Sequence, residues 1–347
     1  YIGNPNSTHC AGRTACEEMA RVTDHIAGLL GVEPAGIIYT SGASESNNLA
    51  IKGIAQASRS TGRHMISTVL EHASVGGTLT ALQQQGWEVD LLDIQRDGTI
   101  DLEQLGDLLR TDTILVSVCA VDSELGTVQP IRKITEILED FPNCRLHVDA
   151  TQAIGKTELV MDGVDTMSIA PHKFYGLNGS GIHLKKSSLI IEPQTHGGSS
   201  TTPYRSGTPA LALAVSIEKA LQLTLTQQEE RIRYVRQLNE YLKTALLHYP
   251  AVRINSPEGA VPHILNLSVQ GLKGTVFQRV LSERGVCVSV KSACSAEGTP
   301  SKAVFAVSGD RKNALSSWRV SLSHLTTREE LDEFLQVFDQ CSKELVP

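Results

Sequence analysis

Short apolar segments alternate with amphipathic segments along the first two thirds of the chain. Apolar runs predict strands at 36–40, 64–69, 88–94, 114–121, 145–149, 166–170 and 181–184. Helical spacing of apolar residues predicts helices at 15–30, 49–57, 74–84, 102–109 and 131–141, the first of them capped by Ser7 or Thr8 and ending at Gly31. Strands that alternate with helices form mostly parallel sheets covered on both faces. The pattern predicts an α/β fold with a seven-stranded, mostly parallel sheet.

The pattern changes after a helical tract at 210–247, which breaks between residues 224 and 228. Beyond the break, strands are predicted at 263–269, 286–290 and 318–322, and helices at 275–284 and 327–345. This arrangement is typical of a small α+β unit. We therefore predict two domains, a large one at 1–226 and a small C-terminal one at 227–347.

Composition fits an ordinary globular protein, with 347 residues of which 41% are hydrophobic and 20% charged. The net charge of −7 gives no reason to expect direct binding of nucleic acid. No apolar run is long enough to span a membrane and no leader pattern opens the chain, so a cytoplasmic location is expected. The chain begins at Tyr1 in what reads as a loop, which suggests a missing N-terminal piece.

The seven cysteines are odd in number and scattered, which argues against a disulfide framework and against a structural zinc site. One of them, Cys294, lies in a loop of small residues where an exposed, reactive thiol is plausible. The others are expected to be buried thiols: Cys10, Cys16, Cys119, Cys144, Cys287 and Cys341. The histidines form no metal-like cluster, so no metal is expected.

Several polar residues follow predicted strands. Lys173 comes after His172 on a loop that Pro171 opens at the end of strand 166–170, and Asp149 ends strand 145–149. His72 follows strand 64–69 closely. Ligands bind at the carboxyl ends of strands in open α/β sheets, so these side chains are candidates for one site. For Lys173 alone, the alternative is a solvated surface lysine.

A small polar turn between strand 36–40 and helix 49–57 is a candidate anion site. The free N–H groups and the dipole at a helix N-terminus favour phosphate, Gly42 and Ala43 leave the backbone accessible, and Ser44 offers a hydroxyl. The alternative is an ordinary capped helix start. A lysine, an anion site and a carboxylate are together what pyridoxal phosphate requires for its aldehyde, its phosphate and its ring nitrogen.

The motifs resemble those of the class V, fold-type I pyridoxal-phosphate enzymes, and specifically the NifS/IscS-type cysteine desulfurases. They occur in the family order along nearly the whole chain. They include Ser-Gly-Ala-Ser-Glu-Ser-Asn-Asn at 41–48, His-Val-Asp-Ala-Thr-Gln at 147–152, Pro-His-Lys-Phe-Tyr-Gly at 171–176, Arg-Ser-Gly-Thr at 205–208, Ser-Ala-Cys at 292–294 and Arg-Val-Ser-Leu at 319–322.

The resemblance implies pyridoxal 5'-phosphate as the cofactor and a role for each matching residue. Lys173 is similar to the Schiff-base lysine, Asp149 to the partner of the ring nitrogen, and Gln152 to the donor for the ring hydroxyl. His72 would stack on the ring and transfer protons. The phosphate would be held by the segment from Gly42 to Ser44 and by His172.

The resemblance also implies the substrate, a second copy of the chain and a partner. The substrate would be L-cysteine, with Arg319 on its carboxylate and Cys294 as the nucleophile that takes up its sulfur. Thr208 would reach the phosphate of a neighbouring subunit, which implies a homodimer. The persulfide sulfur would then pass to an acceptor protein for iron–sulfur assembly, tRNA thiolation or DNA phosphorothioation.

The chain departs from the family pattern at three places. Asp122 and Ser123 replace an asparagine pair, which predicts that a donor to the ring hydroxyl is altered; Ser123 is kept as a candidate for binding both cofactor and substrate. Ala170 replaces a serine, which removes one phosphate hydroxyl and predicts weaker cofactor retention. The loop around Cys294 is slightly short, which predicts a specialised enzyme with a dedicated acceptor. The alternatives are a class V aminotransferase or lyase that does not use Cys294, and a non-catalytic scaffold.

Overall fold

The computed structural model describes residues 3–198, 200–291 and 298–345. The chain separates into two compact units: the first comprises Tyr1–Leu92, Leu102–Ala120 and Pro130–Thr226, and the second comprises Asp93–Asp101, Val121–Gln129 and Gln227–Pro347. The second unit therefore includes two short segments that lie far from it in sequence. The two domains at 1–226 and 227–347 stay a prediction. No helix in the described ranges has both the length and the apolar character needed to cross a membrane.

The first unit is built on a seven-stranded sheet. Its strands are β1 (Ile37–Thr40), β2 (His64–Thr68), β3 (Glu88–Leu92), β4 (Thr113–Cys119), β5 (Arg145–Asp149), β6 (Thr166–Ile169) and β7 (Gly181–Lys185), in the order β1-β7-β6-β5-β4-β2-β3. Strand β7 runs antiparallel to its neighbours β1 and β6, whereas the other neighbouring strands of this sheet pair in parallel. The predicted mostly parallel sheet is confirmed.

The helices of the first unit are α1 (Cys10–Leu30), α2 (Ala43–Ala57), α3 (Ala73–Gln83), α4 (Leu102–Leu108), α5 (Ile131–Leu138) and α6 (Leu211–Thr226). The predicted cap of α1 was wrong: His9 is the N-cap, and its Nδ1 accepts a hydrogen bond from the N–H of Gly12. The predicted end at Gly31 is confirmed, with φ of 67° in the left-handed region. Helix α2 begins six residues before the predicted start at 49, directly after Gly42.

The position of α2 matters for the site. Its apolar residues Leu49, Ile51 and Ile54 are buried in a core shared with strands β1, β2 and β4, and the helix also packs on β5, β6 and β7. Burial of this face stabilises the helix by roughly 1.5–3 kcal/mol per large apolar side chain. The N-terminal turns of α2 are thereby held against the central strands of the sheet.

The second unit is α+β. Strands β8 (Val252–Ile254), β9 (Ile264–Val269) and β10 (Ser317–Ser321) form an antiparallel sheet, and its helices are α7 (Gln228–Leu246), α8 (Gly274–Ser282), α9 (Lys302–Ser308), α10 (Arg311–Ser316) and α11 (Arg328–Leu345). Three rings form the centre of its core, with Phe277 stacked on Trp318 and tilted against Phe338, both at centroid distances of 5.3 Å.

Two sequence expectations outside the site were wrong. Residues 286–290 are not a strand, because only Ser289 pairs there, in an isolated bridge with Arg319. Cys10, Cys16 and Cys287 are exposed, whereas Cys119, Cys144 and Cys341 are buried as expected. Cys10 and Cys16 lie off the buried stripe of α1, which runs through Gly12, Ala15, Met19 and Val22. None of these six cysteines is joined in a disulfide bond to another described residue.

Candidate active site

Asp149 is the last residue of β5 and is buried. Its Oδ2 accepts a hydrogen bond of 2.8 Å from Asn47 Nδ2, and its Oδ1 accepts one of 3.0 Å from the N–H of Thr151. The carboxylate is therefore held from both sides at a strand end. A buried carboxylate with fixed orientation suits the protonated ring nitrogen of pyridoxal phosphate.

Lys173 lies at the end of the neighbouring strand. Asp149 is in register with Ser168 of β6, and β6 leads through Ala170 into a 3-10 turn at Pro171–Lys173. The turn is tight, since a Cβ on Gly176 would lie 2.6 Å from Cβ of Pro171. Lys173 is exposed at this turn. Asp149 and the turn that carries Lys173 thus occupy adjacent strand ends.

His172 shares this turn. Partial burial lowers its pKa, and the positive charge of Lys173 acts in the same direction. A neutral imidazole next to a lysine is a hydrogen-bonding group for phosphate that adds little charge of its own.

The start of α2 is the candidate phosphate site. Gly42 is the N-cap with φ of 153°, in a conformation that side chains rarely adopt, and Ser44 is exposed in the first turn. The next residue, Glu45, accepts hydrogen bonds from the N–H of Ser41 at 2.7 Å and from Arg205 Nε at 3.0 Å. Burial favours neutral Glu45, but these bonds outweigh it and lower its pKa. Ala43 and Ser44 thus remain as the predicted anion contacts in this turn.

Thr208 lies outside the residues that form this turn. It is exposed in the segment between Gly207, with φ of 106°, and the start of α6. Arg205 of the same segment bonds to Glu45, which connects the segment to the start of α2. An exposed Thr208 is compatible with the predicted contact to a second copy of the chain.

His72 is the N-cap of α3. Its Nδ1 accepts a hydrogen bond of 3.1 Å from the N–H of Ser74 and lies 2.8 Å from Ser74 Oγ. Ser74 Oγ in turn accepts a bond of 2.9 Å from Asn47 Nδ2. Asn47 therefore connects His72 with Asp149, a role that the sequence did not reveal, although Asn47 lies within the quoted motif at 41–48.

Gln152 lies three residues after Asp149. Its Oε1 accepts a hydrogen bond of 2.6 Å from Lys156 Nζ. The amide NH₂ group of Gln152 is thus left as its donor, which suits the predicted bond to a ring hydroxyl.

Two residues that either neighbour Asp149 in sequence or interact with its charge each have one buried oxygen atom that lacks a hydrogen-bond partner among the described residues. These atoms are Thr151 Oγ1 and Glu71 Oε2. Burial and the charge of Asp149 raise the pKa of Glu71 to about 8 although several hydrogen bonds oppose this shift. Buried polar atoms without partners are rare in native proteins, and a bound polar group is one kind of partner that would satisfy them. With the lysine, the carboxylate and the helix N-terminus, they fit pyridoxal phosphate.

Arg319 belongs to the second unit and lies on β10. Its Nη1 donates a hydrogen bond of 2.5 Å to the carbonyl oxygen of Ser123, and its Nε donates one of 3.2 Å to Ser321 Oγ. Burial lowers the pKa of Arg319, but the guanidinium remains charged at neutral pH. Two of its five donors are used by these bonds, which fix its position, and a guanidinium so placed can bind a carboxylate.

The negative charges of Glu124 and Asp122 act on Arg319 and favour its protonated form. Asp122 Oδ2 accepts bonds from the N–H groups of Glu124 and Leu125, whereas its buried Oδ1 has no partner among the described residues. Burial and the charge of Glu124 raise the pKa of Asp122 to about 7. Ser123 takes part through its carbonyl oxygen, so the predicted contacts of its hydroxyl with cofactor and substrate stay a prediction.

Cys294 lies outside the described residues, and its predicted role stays a prediction. The residues that flank this segment are joined, because Lys291 Nζ donates hydrogen bonds to the carbonyl oxygen and to Oγ1 of Thr299 at 3.0 and 2.8 Å. Within the described ranges, no group of three or more histidine, cysteine or acidic residues could hold a metal ion.

Comparison with known proteins places the chain in a family. The model of the aminotransferase class-V family matches residues 1–334. A NifS/IcsS protein homolog from Lactobacillus delbrueckii subsp. bulgaricus is 38% identical over 97% of this chain and 89% of its own length. Cysteine desulfurase IscS from Dictyoglomus turgidum is 33% identical over 99% of this chain and 88% of its own length.

A solved structure of a NifS-like protein superimposes with a TM-score of 0.93 at 32% identity, covering 99% of this chain and 92% of that one. The structural superposition and the sequence identities thus both agree with the family that the motifs indicate. The chain therefore belongs to the class V aminotransferase family and, within it, to the NifS/IscS-type cysteine desulfurases, which are enzymes that use pyridoxal phosphate.

Proposed function

We propose that this cysteine desulfurase converts L-cysteine to L-alanine at a site built on Lys173, Asp149 and His72, with Cys294 as the sulfur-accepting nucleophile. The observation that carries the proposal is the placement of buried Asp149 and of the Lys173 turn at adjacent strand ends. Pyridoxal phosphate supplies an aldehyde that bonds to amines and a ring that accepts electrons. Lys173 would hold the aldehyde, and Asp149 would keep the ring nitrogen protonated.

The remaining cofactor contacts follow from the positions of the polar groups. The backbone of Gly42 and Ala43, the hydroxyl of Ser44 and the ring of His172 would hold the phosphate. Gln152 would donate to the ring hydroxyl. His72 would lie against the ring and move a proton through Nε2, since Nδ1 accepts bonds from Ser74.

A second copy of the chain is part of the proposal. Thr208 is exposed in its segment, and we propose that it reaches the phosphate bound by the other subunit of a homodimer. If the protein is a homodimer of this kind, a Thr208→Ala variant is expected to bind the cofactor more weakly, because one hydroxyl contact to the phosphate is lost.

Arg319 would bind the carboxylate of L-cysteine, and Ser123 would contribute to both cofactor and substrate binding. The hydrogen bonds of Arg319 to Ser123 and Ser321 support this role because they limit the rotamers of a long side chain. Such preorganisation lowers the entropic cost of binding the substrate.

Cys294 would attack the substrate sulfur as a thiolate. An S–S bond would form between Sγ of Cys294 and the sulfur of L-cysteine as the carbon–sulfur bond of the substrate breaks; the electron pair of that bond would stay with the carbon, which takes up a proton to give L-alanine. The bound cofactor would supply the electron-accepting group that makes this cleavage possible. The persulfide sulfur would then go to an acceptor protein that acts in iron–sulfur assembly, tRNA thiolation or DNA phosphorothioation. We keep a cytoplasmic location as part of the proposal.

The test is replacement of Cys294, with Cys287 as the matched control. Cys287 is an exposed free thiol of the same unit. Cys294→Ala is expected to retain the visible absorption of bound pyridoxal phosphate and to lose sulfide and alanine formation from L-cysteine by about 100-fold or more. Cys287→Ala is expected to keep both within about twofold.

The same experiment separates the alternative functions. A class V aminotransferase or lyase would be indifferent to Cys294→Ala, so unchanged turnover of its amino-acid substrate would contradict the assigned nucleophile. A non-catalytic scaffold would show no cofactor absorption in the unmodified protein.

A further inference from the structure

The side chain of Asn47 is fully buried and contacts three polar side chains in the first unit. Its Nδ2 donates to Asp149 Oδ2 at 2.8 Å and to Ser74 Oγ at 2.9 Å, and its Oδ1 lies 3.0 Å from His147 Nε2. Both amide hydrogens and the amide oxygen are therefore used. A buried polar side chain with every group satisfied has a single favoured orientation.

The geometry of the secondary structure explains the contacts. His147 and Asp149 are two residues apart on β5, so their side chains point to the same face of the sheet. Helix α2 packs on this strand and brings Asn47 between them. The network thus depends on a strand and a helix that both belong to the buried core.

The direction of each hydrogen bond follows from the ends of the network. Burial lowers the pKa of His147 to about 4 although Asp149 acts in the opposite direction, so the imidazole is neutral at pH 7. Since Asn47 Nδ2 faces a carboxylate, Oδ1 faces His147, and the proton of His147 must lie on Nε2. His147 Nδ1 then accepts from Thr166 Oγ1 at 2.9 Å.

The other branch of the network fixes His72. Ser74 Oγ accepts from Asn47, and its own hydrogen is directed to His72 Nδ1, which also accepts from the N–H of Ser74. Nδ1 of His72 is thereby kept unprotonated and the proton of the neutral ring lies on Nε2.

We propose that Asn47 is a positioning residue that sets the orientation of the Asp149 carboxylate and, through Ser74, the tautomer of His72. The inference rests on the proposed roles of Asp149 and His72 toward the cofactor. It predicts that Asn47 acts through these two residues, without contact of its own with substrate.

The test is a double-mutant cycle on the holoenzyme with Asn47→Ala and Asp149→Asn. Asn47→Ala is expected to lower kcat for alanine formation about 10- to 100-fold, with KM for L-cysteine changed less than about twofold. In the Asp149→Asn background the same change is expected to cost less than about threefold, since its target is already altered. Asn48→Ala is the matched control, because the Asn48 side chain bonds within its own helix, to the carbonyl oxygen of Ser44, and its kcat is expected to stay within about twofold.

The outcomes separate the inference from the proposed function. Equal losses for Asn47→Ala in both backgrounds would overturn the inference alone. Wild-type kcat and cofactor absorption in Asp149→Asn would overturn the proposed function, and the inference with it.

A second variant keeps the inference testable if Asn47→Ala does not fold. Asn47→Asp conserves size but replaces the amide, with both of its N–H donors, by a second carboxyl group between His147 and Asp149. The expected result is a rise of the His147 pKa, measured by NMR titration of the imidazole C2–H, together with weaker binding of pyridoxal phosphate to the apoprotein. An unchanged His147 titration and an unchanged dissociation constant would contradict the inferred network.

Discussion

The carboxyl group of Glu71 is hydrogen-bonded to the last residue of β4: its Oε1 accepts a bond of 2.9 Å from the N–H of Cys119. Thr68 Oγ1 donates a second bond to the same oxygen. Because burial and the charge of Asp149 raise the pKa of Glu71 to about 8, Glu71 is neutral at pH 7. A neutral Glu71 adds no negative charge next to Asp149, the residue proposed to hold the cofactor ring.

The raised pKa of Glu71 predicts that the free energy of unfolding falls as pH rises. The folded-state pKa of Glu71 is above its usual value of 4.5, so its contribution to stability is fully present below pH 4.5 and is lost as pH rises toward 8. Asp122, with a pKa of about 7, acts in the same direction. We expect the apoprotein to lose about 2 kcal/mol of unfolding free energy through Glu71 between pH 6.5 and 8.5, measured by urea denaturation.

Glu71→Gln is expected to remove most of this loss. Asp97→Asn is the control: Asp97 has a pKa lowered by hydrogen bonds from Thr99, so its contribution is constant between pH 6.5 and 8.5. Parallel pH dependence in the Glu71→Gln variant and in the unmodified protein would show that Glu71 is already ionised at pH 6.5.

The helices and strands of the first unit could be predicted because the spacing of apolar residues along the chain follows from which side chains are buried. The sequence also indicated that Asp149 and Lys173 follow strands whose ends share one edge of the sheet, since each comes after an apolar run. Asn47 and Glu71 could not be assigned, because a polar residue inside a helix or after a strand is buried only through partners distant in sequence. The predicted strand at 286–290 failed for a related reason: its alternating valines favour a strand, but only one of its residues, Ser289, pairs with β10.

Arg319→Lys tests substrate binding. Lysine keeps the positive charge but loses the planar fork that binds a carboxylate with two hydrogen bonds. We expect KM for L-cysteine to rise about 10-fold or more, with a smaller change in kcat, measured by steady-state alanine formation. Arg253→Lys is the control, because Arg253 is an exposed residue of the same unit that lies 3.8 Å from Asp310. A KM of the Arg319→Lys variant equal to that of the control would exclude Arg319 from carboxylate binding.

Ala170→Ser tests whether the missing hydroxyl weakens cofactor retention. Ala170 is fully buried between β6 and the turn that carries Lys173. A serine there is expected to tighten the dissociation constant of pyridoxal phosphate about 3- to 10-fold, because one added hydrogen bond to a charged group contributes about 1 kcal/mol or more. The measurement is equilibrium titration of the apoprotein, with urea midpoints as the control for the fold. An unchanged dissociation constant in a variant of unchanged stability would show that the phosphate lies out of reach of residue 170.

Lys173→Ala tests whether Lys173 is the residue that holds the cofactor, on which the proposed site depends. Lys173 is exposed, so its removal is expected to change the unfolding free energy by less than about 0.5 kcal/mol. The purified variant is expected to be colourless and without turnover, because the amine that bonds to the cofactor aldehyde is gone. Lys173→Arg conserves the charge without that chemistry and is expected to be equally inactive. Lys186→Ala, which removes an exposed lysine 3.5 Å from Asp165, is expected to stay yellow and active. A yellow, active Lys173→Ala enzyme would show that the aldehyde is held by a different lysine and that the turn after β6 is not the catalytic one.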